Sequence, residues 1–186
     1  MTKTALAVIL STVTLAATAT AAPFTLTSKD FKAGAALADK QAFGGMGCTG
    51  ENTSPELEWS NPPAGTKSFA LMVHDPDAPT GSGWWHWVVY NIPADTKMLP
   101  AGAGKADGSA LPKGAAQQNT DFGAPGYGGP CPPPGSGNHH YNFTLFALKT
   151  DKLDIPATAT AAYVGFNVMA NSLGTAKLQG LYARKK

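Results

Sequence analysis

The segment of residues 127–141, YGGPCPPPGSGNHHY, restricts the possible folds of this chain more than any other stretch. Its prolines lack a backbone donor and its glycines are entropically costly in a helix, so the segment is expected to be a rigid loop. A second loop of this kind, DPDAP, occupies Asp75–Pro79. Each loop borders a run of residues with the alternation of a β-strand. Together they indicate a scaffold of strands that holds polar side chains on fixed loops.

Strand patterns recur along the chain, and the three strongest cover Lys67–Asp75, Trp84–Ile92 and His139–Leu148. Shorter strands are expected around residues 24–26, 57–60 and 175–182, and residues 40–55 and 101–119 are expected to be irregular. The chain also contains 21 glycines and 15 prolines, which suits a loop-rich β protein better than a helical bundle.

One helix is expected late in the chain. It would begin near Pro156, carry Ala162, Phe166, Met169 and Leu173 at helical spacing, and stop at Gly174. A single late helix among many strands predicts an all-β fold with a few helices.

Alternation also predicts which side chains share a face of each strand. His86 is expected to share a face with Val88 and Tyr90, in a strand that is central because both of its faces are apolar. His139 and Tyr141 are expected to share a face of the third strong strand.

Residues 1–21 are typical of an export signal. Lys3 supplies a positive start, residues 5–17 form an uncharged apolar region, and residues 19–21 give a small-x-small cleavage pattern. Cleavage is expected after Ala21, which leaves one domain over residues 22–186 and no transmembrane segment in the mature chain. The expected location is therefore the periplasm of a bacterium, or the medium after secretion.

Net charge argues against a nucleic-acid partner. Without Lys3, the 14 basic residues become 13, against 12 acidic ones, and the only basic run is Arg184-Lys185-Lys186. A protein that binds nucleic acid needs a positive stripe, and none is visible.

The chain has two cysteines, Cys48 and Cys131, which both follow Gly/Pro-rich turns. In an exported protein, such an even pair is expected to form a disulfide. The alternative is a pair of unbonded buried thiols.

Asp75, His86, His139 and Tyr141 are the candidate binding residues, because they lie in or beside the rigid loops. Asp75 is a candidate partner for one ring nitrogen of His86, which would fix the other nitrogen toward a ligand. Imidazole, phenol and free backbone amides form a neutral, donor-rich site for phosphate or carboxylate oxygens. The alternative reading is structural: DPDAP as a turn, and His86 as an ordinary core histidine.

Enzyme motifs are missing from the sequence: it has no G-x-S-x-G, H-E-x-x-H or P-loop. A Ser/His/Asp hydrolase would need a serine near His86 or His139. Ser82 and Ser136 are available for that role, but glycines flank both of them. Asp75, His86 and His139 could imitate a two-histidine, one-carboxylate metal set, although their spacing matches no known motif. The chain is therefore expected not to be an enzyme and to need no cofactor or metal.

Three blocks in order carry a family resemblance: DPDAP, then HWVVYNIP, then GPCPPPGSGNHHY. They resemble the phosphatidylethanolamine-binding family, whose bacterial members are often called Raf kinase inhibitor-like proteins. The resemblance implies two antiparallel β-sheets and a small cavity for anions such as phosphate, acetate or a phosphorylethanolamine headgroup. It also implies a cis peptide between Ala78 and Pro79. The pocket residues that it implies are Asp75, His86, Pro133, His139 and Tyr141, with Trp87 and Gly129 as further wall elements.

Two functions follow from that resemblance. The first is an exported protein that binds a small anion or a phospholipid headgroup. The alternative is an inhibitor or modulator of a kinase, a peptidase or a host protein, acting through protein–protein contacts.

Overall fold

The computed structural model describes residues 22–186, so the proposed signal at 1–21 and its cleavage site lie outside the described residues. Strands and one helix follow each other as β1 (Thr25–Thr27), β2 (Leu57–Ser60), β3 (Ser68–Asp75), β4 (Trp84–Pro93), β5 (Met98–Leu99), β6 (Ala116–Gln117), β7 (His139–Leu148), α1 (Ala161–Asn171) and β8 (Ser172–Tyr182). The three strong strand predictions are confirmed to within one residue at each end. The short strands β5 and β6 were not predicted, because two residues are too few to show alternation.

Two antiparallel sheets form the domain, as expected. The smaller sheet has the strand order β1-β2-β5, and the larger sheet has the order β6-β4-β3-β7-β8. Strand β4 lies between β6 and β3, so its predicted interior position is confirmed. The fold is mostly β with one late helix and a closing strand.

The larger sheet carries apolar side chains on both faces. One face packs against the smaller sheet and contributes side chains such as Phe69, Val73 and Phe143 to the main core. The other face packs under α1 and contributes Met72 and Val88. No helix within residues 22–186 is long and apolar enough to cross a membrane.

Helix α1 differs from the prediction in its start, its buried face and its stop. It begins after Thr160, whose side chain accepts a hydrogen bond from the Tyr163 N–H at 3.2 Å. Residues 156–159 form a turn that precedes the helix. The helix ends at Asn171, and the chain continues directly into β8, which contains the predicted stop residue Gly174.

The predicted apolar stripe of α1 is on its outer side. Phe166 is 70% exposed and Met169 is 65% exposed. The buried face instead consists of small and β-branched residues: Ala161, Val164, Gly165 and Val168. Gly165 lies against Met72, and a Cβ at this position would approach the Met72 methyl group to 3.3 Å. Close packing of the helix on the sheet therefore selects the small residues, and the larger ones face outward.

A β-bulge changes the predicted faces of β4. Val73 of β3 pairs with Trp87 and His74 pairs with Trp85, which leaves His86 as an extra residue without a partner. A bulge of this kind turns a side chain to the other face of the sheet. His86 accordingly lies beside Tyr141 in the direction of the main core, while Val88 packs under the helix. The prediction that His86 shares a face with Val88 and Tyr90 is wrong for this reason.

Candidate functional site

A cavity of about 200 Å³ opens where the DPDAP loop, the start of β4 and the proline-rich loop meet. Five of the seven predicted pocket residues line it: Asp75, His86, Pro133, His139 and Tyr141. Its other lining residues are Met46, Ala78, Pro79, Thr80, Trp84, Phe122, Cys131 and Pro132. The bulge in β4 is what brings His86 to this group, because regular alternation would turn the imidazole toward the helix.

Asp75 and His139 form a buried hydrogen-bonded pair on one wall. The His139 Nδ1 lies 2.7 Å from the Asp75 Oδ2, and both side chains are only 4% exposed. The second carboxylate oxygen of Asp75 accepts the Asp77 N–H at 2.9 Å. On its other side, the His139 Nε2 lies 3.0 Å from the Ser136 hydroxyl. Both ring nitrogens of His139 are therefore engaged by protein groups.

His86 is held differently from the prediction. Its Nδ1 lies 2.6 Å from the carbonyl oxygen of Gly128, so Nδ1–H donates to the backbone and not to Asp75. The predicted Asp75–His86 pair is wrong, because Asp75 is already bound to His139. Burial lowers the pKa of His86 to about 4, against the opposing effects of the Gly128 hydrogen bond and the Asp75 charge. The ring is therefore neutral at neutral pH, and its Nε2 carries a lone pair.

Three buried polar atoms of the cavity residues have no hydrogen-bond partner among the described residues: the His86 Nε2, the Tyr141 hydroxyl and the Trp84 Nε1. Buried polar groups are normally paired, so three unpaired ones around one cavity indicate a place for a polar ligand. Burial, followed by the Asp75 charge, raises the pKa of the Tyr141 phenol. Tyr141 therefore remains protonated and can donate, as can the Trp84 indole.

Aromatic side chains position the polar atoms. The His86 ring packs edge-on against Tyr141 at 5.0 Å and against Phe122 at 5.4 Å between ring centroids. Phe122 also packs edge-on against Trp84 at 5.5 Å. Trp84 and Phe122 were not predicted as pocket residues. The aromatic cluster before His86 was the available signal for Trp84, whereas Phe122 lies in an irregular segment that has no pattern.

The disulfide prediction is confirmed. Cys48 and Cys131 are bonded with their Cα atoms 5.9 Å apart, and Cys131 itself lines the cavity. The bond ties the Gly-rich loop before Cys48 to the proline-rich wall. Arg184 reinforces this attachment, because its guanidinium donates to the Gly47 and Pro132 carbonyl oxygens.

Trp87 and Gly129, which the resemblance implied as wall elements, do not line the cavity. Trp87 lies fully buried in the main core, where its Nε1–H donates to the Gln117 side chain at 3.1 Å. Gly129 packs on the backbone of the loop that contains Gln41, and a Cβ there would lie 2.0 Å from the Gln41 carbonyl oxygen. Gly129 therefore allows two loops to approach each other closely beside the cavity.

The DPDAP loop reaches the cavity without a cis peptide bond. Every peptide bond in the described part of the chain is trans, so the predicted cis bond between Ala78 and Pro79 is wrong. The chain reverses instead through Gly81 and Gly83, which both have positive φ values, 77° and 74°. Glycine tolerates this left-handed conformation without steric cost.

The lining residues include no lysine and no arginine. Within residues 22–186, no group of three or more histidine, cysteine, aspartate or glutamate side chains is arranged to hold a metal ion. The recognition chemistry of the cavity therefore consists of neutral hydrogen-bonding groups and the Asp75–His139 pair.

Comparisons with known proteins agree with this fold. The family model for phosphatidylethanolamine-binding protein matches residues 27–183. The chain is 52% identical over 167 residues to the UPF0098 protein YbcL of Escherichia coli (strain K12), covering 90% of this chain and 91% of YbcL. It is 49% identical over 158 residues to the UPF0098 protein YbhB of the same organism, covering 85% of this chain and 99% of YbhB.

One solved structure and one further relative complete the comparison. The crystal structure of E. coli YbcL, described as a new member of the mammalian PEBP family, matches with a TM-score of 0.86 and 51% identity, covering 88% of this chain and 100% of that one. The putative lipoprotein LppC of Mycobacterium tuberculosis (strain ATCC 25618 / H37Rv) is 37% identical over 162 residues, covering 87% of this chain and 73% of LppC.

Proposed function

Because this chain belongs to the phosphatidylethanolamine-binding protein family, we propose that it binds a small anion in the cavity around His86. The ligand class is phosphate or a phosphorylethanolamine-like headgroup. A phosphate group presents several oxygens at the separations that converging hydrogen-bond donors and acceptors can reach, and it fits a cavity of about 200 Å³.

The observation that carries this proposal is the set of three unpaired buried polar atoms on the His86, Tyr141 and Trp84 side chains. Leaving a buried donor or acceptor unsatisfied costs about 1–3 kcal/mol each. A ligand that satisfies all of them recovers that free energy on binding. An apolar ligand of the same size would leave every one of them unpaired.

The hydrogen-bond direction at His86 specifies the protonation state of the bound anion. The Nδ1–H donates to Gly128, so the neutral ring offers a lone pair at Nε2 and accepts. A fully deprotonated phosphate oxygen cannot donate to it. The anion therefore binds with a proton between one of its oxygens and the His86 Nε2, while Tyr141 and Trp84 donate to its other oxygens.

The absence of lysine and arginine from the cavity lining sets the strength of binding. An anion is held there by hydrogen bonds and not by ion pairs, and the Asp75 carboxylate lies in the same wall. We expect modest affinity, and we expect a monoanion or a zwitterion to bind better than a dianion.

The proposed location is outside the cytoplasm. The Cys48–Cys131 bond supports it, because structural disulfides persist in oxidising compartments. The name of the relative LppC, a putative lipoprotein, agrees with an extracytoplasmic place. The signal-like residues 1–21 are the sequence feature that would direct the export.

The test is calorimetric titration of the purified protein with phosphorylethanolamine, comparing wild type with His86→Asn. Asparagine can keep a donor toward the Gly128 carbonyl oxygen while it removes the Nε2 acceptor. We expect affinity to fall by a factor that corresponds to about 1–3 kcal/mol. His140→Asn is the matched control, because His140 is exposed and lies outside the cavity. Equal affinities for wild type and His86→Asn, with the fold intact, would contradict the proposal.

A further inference from the structure

We propose that Ser136 is an activated nucleophile, and that this chain hydrolyses small esters at the rim of the cavity. The Ser136 Oγ lies 3.0 Å from the His139 Nε2, and the His139 Nδ1 lies 2.7 Å from the Asp75 Oδ2. A serine, a base and a carboxylate that orients the base are thus connected in series. This is the arrangement that activates a serine hydroxyl in acyl-transfer enzymes of unrelated folds.

In the sequence, Ser136 was an available serine, but its flanking glycines argued against a hydrolase site. Ser136 stands between Gly135 and Gly137, outside any strand-to-helix turn, and it precedes His139 by only three residues. The structure joins them because both glycines have positive φ values, 79° and 90°, which fold the loop back on the start of β7. Such triads are recognised by geometry and not by sequence order.

The orientation of His139 suits a general base. Asp75 is 3% exposed and is anchored by the Asp77 N–H, so its carboxylate holds the Nδ1–H of His139 in one direction. In the neutral ring, the Nε2 lone pair then points at Ser136. The Ser136 hydroxyl has a second acceptor, the Pro133 carbonyl oxygen at 2.8 Å. The arrangement is reactive when the hydroxyl rotates to donate to the His139 Nε2 instead of the Pro133 carbonyl oxygen.

Ser136 is open to an incoming ester. The residue is exposed, and a Cβ added at the neighbouring Gly137 would have no heavy atom within 4 Å. The N–H of the residue after a nucleophilic serine commonly serves as an oxyanion donor, and here that residue is Gly137. The unpaired donors of Trp84 and Tyr141 belong to residues that line the same cavity as His139.

The reaction balances with water as its only co-reactant. The Ser136 Oγ attacks the ester carbonyl carbon while the His139 Nε2 takes the hydroxyl proton, and the tetrahedral intermediate then expels the alcohol, which receives that proton. Water next attacks the acyl-serine with His139 as base again. The carboxylic acid leaves and the Ser136 hydroxyl is restored.

The test uses a fluorophosphonate probe, in which the serine oxygen displaces fluoride from phosphorus, and p-nitrophenyl acetate as the substrate. We expect the wild-type protein to gain one probe adduct on the Ser136 peptide by mass spectrometry, and to release nitrophenolate. Ser136→Ala should lose both activities. Ser82→Ala is the matched control, because Ser82 is also exposed between two glycines but makes no contact with a histidine through its hydroxyl.

His139→Gln separates activation from mere exposure of the serine. We expect its rate of labelling to fall by about 100-fold or more, the usual contribution of a general base. An unlabelled wild type, labelling that persists in Ser136→Ala, or equal rates in wild type and His139→Gln would each overturn the inference. Calorimetry of Ser136→Ala with phosphorylethanolamine keeps the two proposals apart, since anion binding at His86 does not need the Ser136 hydroxyl.

Discussion

Two aspartate–histidine pairs join the DPDAP loop to the start of β7, and they differ mainly in burial. Asp75 and His139 meet at 2.7 Å with side chains that are each 4% exposed. Asp77 and His140 also meet at 2.7 Å, but the histidine is 44% exposed and the aspartate is 40% exposed. The same chemistry, at the same distance and from neighbouring residues, therefore appears once inside the cavity wall and once in solvent.

The difference in burial determines which of the two pairs matters for stability and for the cavity. Water screens the outer pair and competes for its hydrogen bonds, although the bonds from His140 lower the pKa of Asp77 despite an opposing effect of burial. The inner pair is desolvated, so losing one partner leaves the other without compensation. The inner pair also fixes the His139 ring beside the unpaired atoms of the cavity. The outer pair only connects the DPDAP loop to the start of β7.

The largest expected contrast is in stability. Asp75→Ala should lower the free energy of unfolding by about 3–5 kcal/mol, because it strands a buried partner. Asp77→Ala should lower it by less than about 1 kcal/mol, as is usual for an exposed pair. Urea unfolding of both variants with the disulfide intact measures the contrast. Equal losses would show that burial does not distinguish the pairs.

The next effect is the pH dependence of stability that comes from His86. Its folded pKa is about 4 and its ordinary value is 6.5, so between these values the unfolded chain binds more protons than the folded one. Stability therefore rises with pH through this window, and it is lost as the pH falls from 6.5 toward 4. The loss should be about 3 kcal/mol. Urea unfolding at a series of pH values should show this slope in wild type, and a clearly smaller one in His86→Asn.

A smaller effect concerns the affinity of the cavity for phosphate. Because the His86 Nε2 accepts, binding requires a proton on the anion or on the ring, and affinity should increase as the pH falls from 7.5 to 5.5, by roughly tenfold. Calorimetry in buffers with different ionisation enthalpies should show net proton uptake on binding. Proton release on binding, or affinity that rises with pH, would contradict the assignment of the His86 Nε2 as a hydrogen-bond acceptor.

The smallest expected effect comes from Tyr141. Tyr141→Phe removes one donor from the cavity and keeps the ring that packs against His86. Phosphorylethanolamine affinity should fall by about 0.5–1.5 kcal/mol, the net value of one hydrogen bond. Titration calorimetry on the folded variant measures this loss. Unchanged affinity in the folded variant would show that the Tyr141 hydroxyl does not donate to the ligand.

Much of the fold could be predicted from alternation and loop composition. Alternation predicted β3, and Phe69, Leu71 and Val73 of that strand all belong to the main core. Composition also predicted the disulfide, since an even number of cysteines in a chain that begins with a signal-like segment favours pairing. Local sequence patterns were sufficient to predict the features of the fold that depend on one strand alone.

The remaining features of the fold and of the site depend on how the strands pair. A single sequence does not show that pairing. The extra residue that turns His86 into the cavity exists only relative to the pairing of β3 with β4. Register with β7 also decides the partner of Asp75: His74 pairs with Asn142, which leaves Asp75 near the end of β7 that begins with His139. On α1, apolar residues occupy more than one stripe, and packing against Met72 made the choice between them.

The anion site is tested most directly by nitrogen-15 NMR of the histidine side chains during titration with phosphorylethanolamine. The Nε2 signal of His86 should move from the position of an unprotonated acceptor toward that of a hydrogen-bonded or protonated nitrogen. The exposed His140 should stay unchanged and serves as the internal reference. An unchanged His86 signal at saturating ligand, or a response confined to His140, would contradict binding in the cavity.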